Sequence, residues 1–309
     1  MAKVVAEMGM PAIALTDFNN FFATVKFYKA CQAAGVKPIV GADFLVLDES
    51  GEGTPTQLVL LVKDSVGYAN LTKLISKAYR DGQRQGVPYI RKSWLGEFNE
   101  GLIALSGGRC GEIGVALVSG RKDDAALALK EFISLFGDRF YLEIHRTGRP
   151  EEEDYLHGAV ELAAQLNCPV VATNDVRFIS TNEFEAHEAR VCIHEGRALD
   201  DPRRERRYSE QQYLRTPDEM CALFADIPEA LENTVEIAKR CSLNIRLGEY
   251  FLPDYPIPDG MTINEFFTLE SEKGLQERLA VLYDMGAEDF PEVQQRYSDR
   301  LKFELDIII

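Results

Sequence analysis

The chain has 309 residues, of which 46% are apolar and 27% charged, a balance typical of a globular protein. Its formal net charge of −16 argues against strong nucleic-acid binding by this chain alone, because phosphate contacts need lysine and arginine. No apolar run approaches the roughly 20 residues of a membrane helix. The N-terminus has an early acid and no long apolar core, which excludes a secretory signal. We therefore expect no membrane contact and a cytoplasmic location.

The first two-thirds of the chain alternates between two kinds of pattern. A helical pattern over residues 1–8 ends at Gly9, a residue suited to a helix C-terminus. Short apolar segments predict six strands, over residues 12–16, 38–44, 57–63, 101–106, 140–145 and 170–176. Amphipathic segments predict helices between them, over residues 20–34, 68–80, 123–136 and 151–166. The alternation predicts an α/β fold with a parallel sheet, either open and doubly wound or an incomplete barrel.

The pattern changes after about residue 195. The sequence predicts two helices, a proline-rich extended linker and a further helix, over residues 219–223, 228–241, 250–259 and 264–283 in that order. A charged loop at 200–207 contains four arginines, Arg203, Arg204, Arg206 and Arg207. These side chains either contact phosphate or a partner, or form a solvated loop neutralised by the acids beside them.

Six cysteines are scattered along the chain without a CxxC pair: Cys31, Cys110, Cys168, Cys192, Cys221 and Cys241. This spacing predicts neither a disulfide framework nor a zinc ribbon. We expect most of these thiols to be buried or half-buried.

Polar residues follow several predicted strands at the point where each strand ends. These residues are Asp17, Asp43, His145, Arg146, Thr147, Asp175 and Arg177. In a barrel of parallel strands, functional residues gather at the C-terminal strand ends. The three carboxylates could bind a hard cation such as Mg²⁺ or Mn²⁺. They could equally cap helices or lie in solvent, and the residues alone leave both interpretations open.

An ordered series of motifs resembles a known family. The matching stretches are ALTDFNN from Ala14, KPIVGADF from Lys37, NLTKLISKAY from Asn70, GLIALSGG from Gly101, RTGRPE from Arg146, VATNDVRF from Val171, FADIPEALENTVEIAKRC from Phe224 and LGEYFLP from Leu247. Together they resemble the polymerase-and-histidinol-phosphatase (PHP) domain at the N-terminus of bacterial DNA polymerase III alpha subunits. Each motif alone is weak evidence for the family, but eight motifs in the same order are strong evidence. The similarity covers nearly the whole chain.

The resemblance implies a fold and a domain division. The fold is a PHP-type distorted (βα)7 barrel, similar to a TIM barrel. We expect residues 1–248 to form the PHP domain and residues 249–309 to form a linker and the mostly helical beginning of the polymerase palm. By comparison with the family, we expect the chain to be cut at both ends and the barrel to lack its first strand.

The resemblance also locates a metal site that this sequence has altered. The corresponding positions are Asp17, Phe18, Asp43, Gly108, His145, Thr147, Asp175 and Arg177. Phe18 has no lone pair for a metal, and Arg177 places a fixed positive charge where a dication would sit. We therefore expect a vestigial site that holds no metal. Arg177 would instead pair with Asp17, Asp43 or Asp175.

Three functions follow as hypotheses. The first is an N-terminal platform of a DNA-directed DNA polymerase, without catalytic residues in this chain, that docks the 3′–5′ proofreading exonuclease subunit. Its palm would use Mg²⁺, and the missing part would contact DNA, the sliding clamp and the clamp loader. The second is a metal-dependent phosphoesterase or nuclease using Asp17, Asp43, His145 and Asp175. The third is an interaction module with no polymerase downstream.

Overall fold

The computed structural model describes residues 1–51, 53–250 and 252–309. The chain divides into two compact units, Met1–Ile245 and Arg246–Ile309. The domain boundary predicted after residue 248 lies close to this division. The roles assigned to the two parts, a PHP domain and the beginning of a palm, stay predictions. Phe251, in the predicted linker, lies outside the described residues. No helix formed by the described residues is both long and apolar enough to cross a membrane.

Strands are confined to the first unit among the described residues. They are β1 (Ala12–Phe18), β2 (Lys37–Leu47), β3 (Thr56–Val62), β4 (Gln83–Arg84), β5 (Val87–Pro88), β6 (Ile90–Arg91), β7 (Leu102–Leu105), β8 (Phe140–Ile144) and β9 (Val170–Ala172). All six predicted strands are present, as β1, β2, β3, β7, β8 and β9. The two-residue strands β4 to β6 were not predicted because they are too short to show a pattern.

Helices occur in both units. The first unit contains α1 (Ala2–Glu7), α2 (Thr24–Ala33), α3 (Ser65–Asp81), α4 (Lys92–Phe98), α5 (Glu112–Val118), α6 (Lys122–Phe136), α7 (Glu152–Leu166), α8 (Phe184–Glu195), α9 (Pro217–Leu223) and α10 (Pro228–Arg240). The second contains α11 (Ile263–Leu282) and α12 (Phe290–Ile308). Helix α8 was not predicted, because its buried residues His187, Glu188 and Cys192 include two that are polar.

The main sheet joins seven strands in the order β1-β2-β3-β7-β8-β9, with β6 paired to β2. Strands β1 and β2 are parallel, as are β7, β8 and β9. Strand β3, however, runs antiparallel to both β2 and β7, so the predicted all-parallel sheet is wrong at this strand. The described residues between β2, which ends at Leu47, and β3, which begins at Thr56, form no helix. A parallel pair would need a longer crossover.

The sheet is curled into part of a barrel. Asp43 on β2 and Asp175 beyond β9 are near enough for their charges to interact. In a flat sheet, four strand spacings would separate these strands by about 19 Å. Curling therefore brings the ends of distant strands together, as expected for a distorted barrel.

Different apolar clusters cover the two faces of the sheet. The outer face packs against α3, α5, α6 and α7 around fully buried residues such as Phe44, Leu60 and Tyr155. The inner face carries a smaller cluster that includes Ile39 and Tyr141 and packs against Ile237 of α10. Helix α10 thus covers the apolar part of the inner face. The C-terminal strand ends, further along the same face, carry polar side chains.

A segment outside the strands crosses the gap between the edge strands β1 and β9. Phe178 and Tyr213 form a β-bridge, and Leu214 N donates to Phe178 O at 3.0 Å. The Leu214 side chain is buried in the apolar cluster that contains Ile13 and Leu15 of β1. This closure has no counterpart in the predicted elements.

One close backbone approach yields a stability prediction. A Cβ on Gly67 of α3 would lie 1.9 Å from Gly101 O, which is shorter than any non-bonded contact. We expect Gly67→Ala to lower the free energy of unfolding by about 3 kcal/mol, because neither backbone can move freely. The control is Gly96→Ala on α4, whose Cβ would meet only Leu135 Cδ2 at 3.9 Å. Urea denaturation of the two variants should separate them, and equal midpoints would contradict the prediction.

Candidate functional site at the strand ends

Polar side chains occupy the inner face at the C-terminal strand ends. Side chains alternate between faces along a strand, and Tyr141 of β8 belongs to the inner apolar cluster. Glu143 and His145, two and four residues further along, therefore project from the same face. Both are buried, with 5% and 6% of their surface exposed. The inner-face side chains along β8 thus change from apolar to ionisable toward the C-terminal end of the strand.

Asp43 is a buried carboxylate late in β2. It is 9% exposed, and its Oδ1 has no hydrogen-bond partner among the described residues. Burial raises the pKa of Asp43 to about 7, and the negative charges of Glu143 and Asp175 act in the same direction. Arg177 opposes this rise. The neutral form of Asp43 therefore persists to a higher pH than in an ordinary aspartate.

Asp175 is enclosed by cationic and amide donors. Arg177 Nη2 lies 2.6 Å from Asp175 Oδ1, and Arg149 Nη1 lies 2.8 Å from Oδ2. Gln212 Nε2 also donates to Oδ2 at 2.8 Å. Asp175 has a φ of 41°, in the left-handed region, so these bonds hold an unfavourable backbone conformation. Both carboxylate oxygens are occupied by protein donors.

His145 shares a buried polar contact with Glu143. His145 Nε2 lies 3.5 Å from Glu143 Oε1, which also accepts from Thr173 Oγ1 at 2.7 Å. Burial alone would lower the pKa of His145, but the neighbouring Glu143 carboxylate raises it above its ordinary value. A Cβ on Gly108 would lie 2.5 Å from His145 Nδ1. Glycine at this position therefore lets the imidazole fit.

The loop after β8 is organised by another buried carboxylate, Glu152. Its oxygens accept from Thr147 N and Thr147 Oγ1, both at 2.6 Å, and from Arg149 Nε at 2.9 Å. Burial tends to raise the pKa of Glu152, but the bonds from Thr147 and Arg149 lower it below its usual value. Thr147 thus supports the loop that aims Arg149 at Asp175.

Asp17 lies apart from the other predicted carboxylates. Ile13 and Leu15 of β1 belong to the cluster formed with α1 and α2, and alternation places Asp17 on that same face. Phe18 is instead the register partner of Asp43 and is 42% exposed. The structure therefore joins Phe18, rather than Asp17, to the inner-face site.

Comparison with known proteins finds a family match for the first part of the chain, which carries Asp43, Glu143 and His145. Residues 1–147 match the PHP domain family. This part of the chain is therefore similar to the PHP domain. The resemblance indicated by the sequence motifs is therefore confirmed, and so is the α/β barrel class that it implied.

Relatives match the chain well beyond that domain. DNA polymerase III subunit alpha is 55% identical in Pseudomonas fluorescens, 53% in Vibrio cholerae and 51% in Escherichia coli K12. Each alignment covers 100% of this chain and 26% of the relative. The chain thus spans about a quarter of the length of these homologues. A solved structure from Bifidobacterium adolescentis, proposed to be a metal-dependent phosphoesterase, is 10% identical with a TM-score of 0.40. It covers 56% of this chain and 80% of its own, and a likeness this low supports no inference.

The polar residues at the inner strand ends are here called the PHP site: Asp43, Glu143, His145, Thr147, Arg149, Glu152, Asp175, Arg177 and Gln212. Their side chains do not fit a divalent cation in this arrangement. The guanidinium groups of Arg149 and Arg177 occupy the Asp175 oxygens that a metal would need. Phe18, beside Asp43, has no donor atom. Across the described ranges, no group of three or more His, Cys, Asp and Glu side chains is arranged to hold a metal ion. Of the three acids proposed to pair with Arg177, Asp175 is in direct contact.

Four residues of the PHP site were not identified from sequence: Glu143, Arg149, Glu152 and Gln212. Glu143 carries a usable signal, because it is the only charged residue in the strand sequence FYLEI. Residues at buried strand positions are seldom charged without a partner. Gln212 lies 37 residues beyond Asp175 and has no comparable signal.

The raised pKa of Asp43 predicts a pH dependence of stability. An unfolded aspartate titrates near pH 4, roughly 3 units below folded Asp43. The folded chain therefore retains a proton that the unfolded chain releases, so stability falls as pH rises from about 4 through 7. We expect Asp43→Asn to abolish this pH-dependent loss of stability and to increase the free energy of unfolding at pH 8 by about 4 kcal/mol. The measurement is urea denaturation at pH 5, 6.5 and 8.

Asp17→Asn is the matched control for this measurement, because it removes a carboxylate from the opposite face of the neighbouring strand. It should keep the wild-type decline of stability with pH. Equal declines in the wild type and in Asp43→Asn would show that Asp43 does not carry the proton.

Proposed function

We propose that this chain is the PHP-domain part of a bacterial replicative DNA polymerase alpha subunit, which carries out template-directed DNA synthesis in the cytoplasm. The proposal rests on 45–55% identity to DNA polymerase III alpha subunits over the whole chain. Residues 1–248 would form the PHP domain, and residues 249–309 the linker and beginning of the palm. The carboxylates that bind Mg²⁺ for nucleotide transfer would lie in the rest of the protein.

Within that subunit, we infer that the PHP domain is a metal-free structural platform. The observation that supports this role is the Asp175 carboxylate, held at 2.6 and 2.8 Å by two arginines. A fixed guanidinium neutralises this half-buried acid permanently, whereas a metal would have to displace the guanidinium and leave its charge uncompensated. The ion pairs thus stabilise the strand ends without chemistry. We place no catalytic residue in this chain.

The platform is inferred to dock the 3′–5′ proofreading exonuclease subunit. The net charge of −16 suits a protein partner better than direct contact with DNA. DNA, the sliding clamp and the clamp loader would be contacted through other parts of the polymerase.

Metal-dependent phosphoester hydrolysis is the alternative. Asp43 Oδ1 and His145 Nδ1 are buried and have no partners among the described residues, so both retain a free coordinating atom. Catalysis at this site would require Arg177 to leave Asp175, and at least two tightly bound ions.

Metal stoichiometry discriminates between these functions. We expect less than one tightly bound Zn²⁺ or Mn²⁺ per molecule of the full-length subunit after dialysis, measured by elemental analysis. Asp43→Asn should leave this value unchanged. Two or three ions in the wild type that are lost in Asp43→Asn would contradict the metal-free platform and favour the phosphoesterase.

Hydrogen exchange tests the docking role. We expect the exonuclease subunit, added to the full-length polymerase subunit, to slow amide exchange within residues 1–245 and not within 246–309. The control is the polymerase subunit with an equal concentration of an unrelated acidic protein. If a complex forms but amide exchange within residues 1–245 is not slowed, the exonuclease subunit does not dock on this domain.

A further inference from the structure

Residues 204–212, here called the strap, connect helix α8 to the PHP site. The strap begins at Arg204 beside α8 and ends at Gln212 beside Asp175. The two end residues are firmly held, although the strap lies outside the helices and strands. A segment that is bonded at both ends and irregular between them can move as a unit when one end is released.

The first end of the strap is a buried ion pair. Arg204 Nη1 donates to Glu188 Oε2 at 2.6 Å, and the two side chains are only 5% and 6% exposed. Arg203 pairs with Asp201 in the same loop and is 83% exposed. The four arginines of this loop were predicted either to contact phosphate or a partner or to form a solvated loop. Arg204 instead anchors the loop to α8.

Aromatic contacts continue from this anchor toward the site. The Tyr208 ring meets the edge of the His187 ring, with 4.6 Å between centroids. His187 lies next to Glu188 on α8, with Nδ1 3.8 Å from Glu188 Oε1. The guanidinium carbon of Arg177 lies 5.6 Å from the centroid of the Tyr208 ring. Tyr208 therefore spans from the helix that holds the anchor to the arginine that holds Asp175.

The second end of the strap is bonded to the site itself. Gln212 is fully buried and donates to Asp175 Oδ2 at 2.8 Å and to Asp175 O at 3.1 Å. Arg177 N donates to Gln212 O at 2.8 Å. Ser209 Oγ donates to Thr147 O. These bonds place the strap across the loops that follow β8 and β9.

We propose that residues 204–212 are a closing strap, latched by Arg204 and Glu188, that covers the PHP site and is released when this latch opens. Removing one partner of a buried ion pair leaves an uncompensated charge, which water must then reach. The chain can meet that demand by lifting the strap, which also removes Tyr208 from Arg177 and Gln212 from Asp175. Opening of the latch would therefore expose more of the Asp175 carboxylate, which is only 20% exposed with the strap closed, whether or not the site ever holds a metal.

A native cysteine reports on the latch. Cys192 on α8 is 3% exposed and interacts with Arg204. Cys168, 7% exposed and packed in the main core, reports on global unfolding. In the whole chain, we expect Glu188→Gln and Arg204→Met to raise the iodoacetamide alkylation rate of Cys192 at least tenfold, measured by peptide mass spectrometry. Cys168 should keep its wild-type rate. Arg203→Met is the matched control and should leave Cys192 protected.

Amide exchange then decides whether the strap moves as a unit. Peptides that contain the Arg177 and Leu214 amides, both bonded in the closed arrangement, should exchange at least tenfold faster in Glu188→Gln. Faster alkylation of Cys192 without faster exchange at Arg177 would show a local opening at α8 and overturn the strap. Unchanged rates at both positions would also overturn it. If Arg204→Met exposes Cys168 as well, that variant has unfolded, and the near-isosteric Glu188→Gln decides.

Discussion

The sharing of one carboxylate, Asp175, between Arg149 and Arg177 organises the end of the barrel. Arg149 comes from the loop after β8, and Arg177 from the loop after β9, so the shared acid joins two loops. Glu152 orients Arg149, and Thr147 orients Glu152. Each member of this series would be costly to bury alone. Together they form a paired network that neutralises the charges at the inner strand ends.

The acids at the strand ends differ in the donors that contact them. Glu143 receives a hydrogen bond from Thr173, and Asp175 receives two guanidinium groups. Asp43 receives neither, and its charge is disfavoured by burial beside two other acids. The site thus favours the neutral form of Asp43.

Strand positions and several site residues could be predicted because their signals are local. The apolar runs that became β2 and β8 are continuous, and the motifs at Asp43, Gly108 and Asp175 have a fixed order. The direction of a strand and the face on which a given side chain lies are not determined by the residues of that strand alone. The reversal of β3 depends on the short β2–β3 connection, and the position of Asp17 depends on which face of β1 meets α1 and α2. Gln212 reaches Asp175 only because the chain returns across the gap between β1 and β9, which no pattern near Gln212 indicates.

The closure of the sheet by Leu214 has a consequence for synthesis on the ribosome. The cluster that buries Leu214 contains Ile13 and Leu15 of β1, which leave the ribosome long before residue 214 is added. At roughly 5–20 residues per second, synthesis of the intervening 200 or so residues takes about 10–40 s. During this interval the Ile13 and Leu15 side chains lack the apolar contact that Leu214 supplies. This face of β1 is thus fully covered only after residue 214 has left the ribosome.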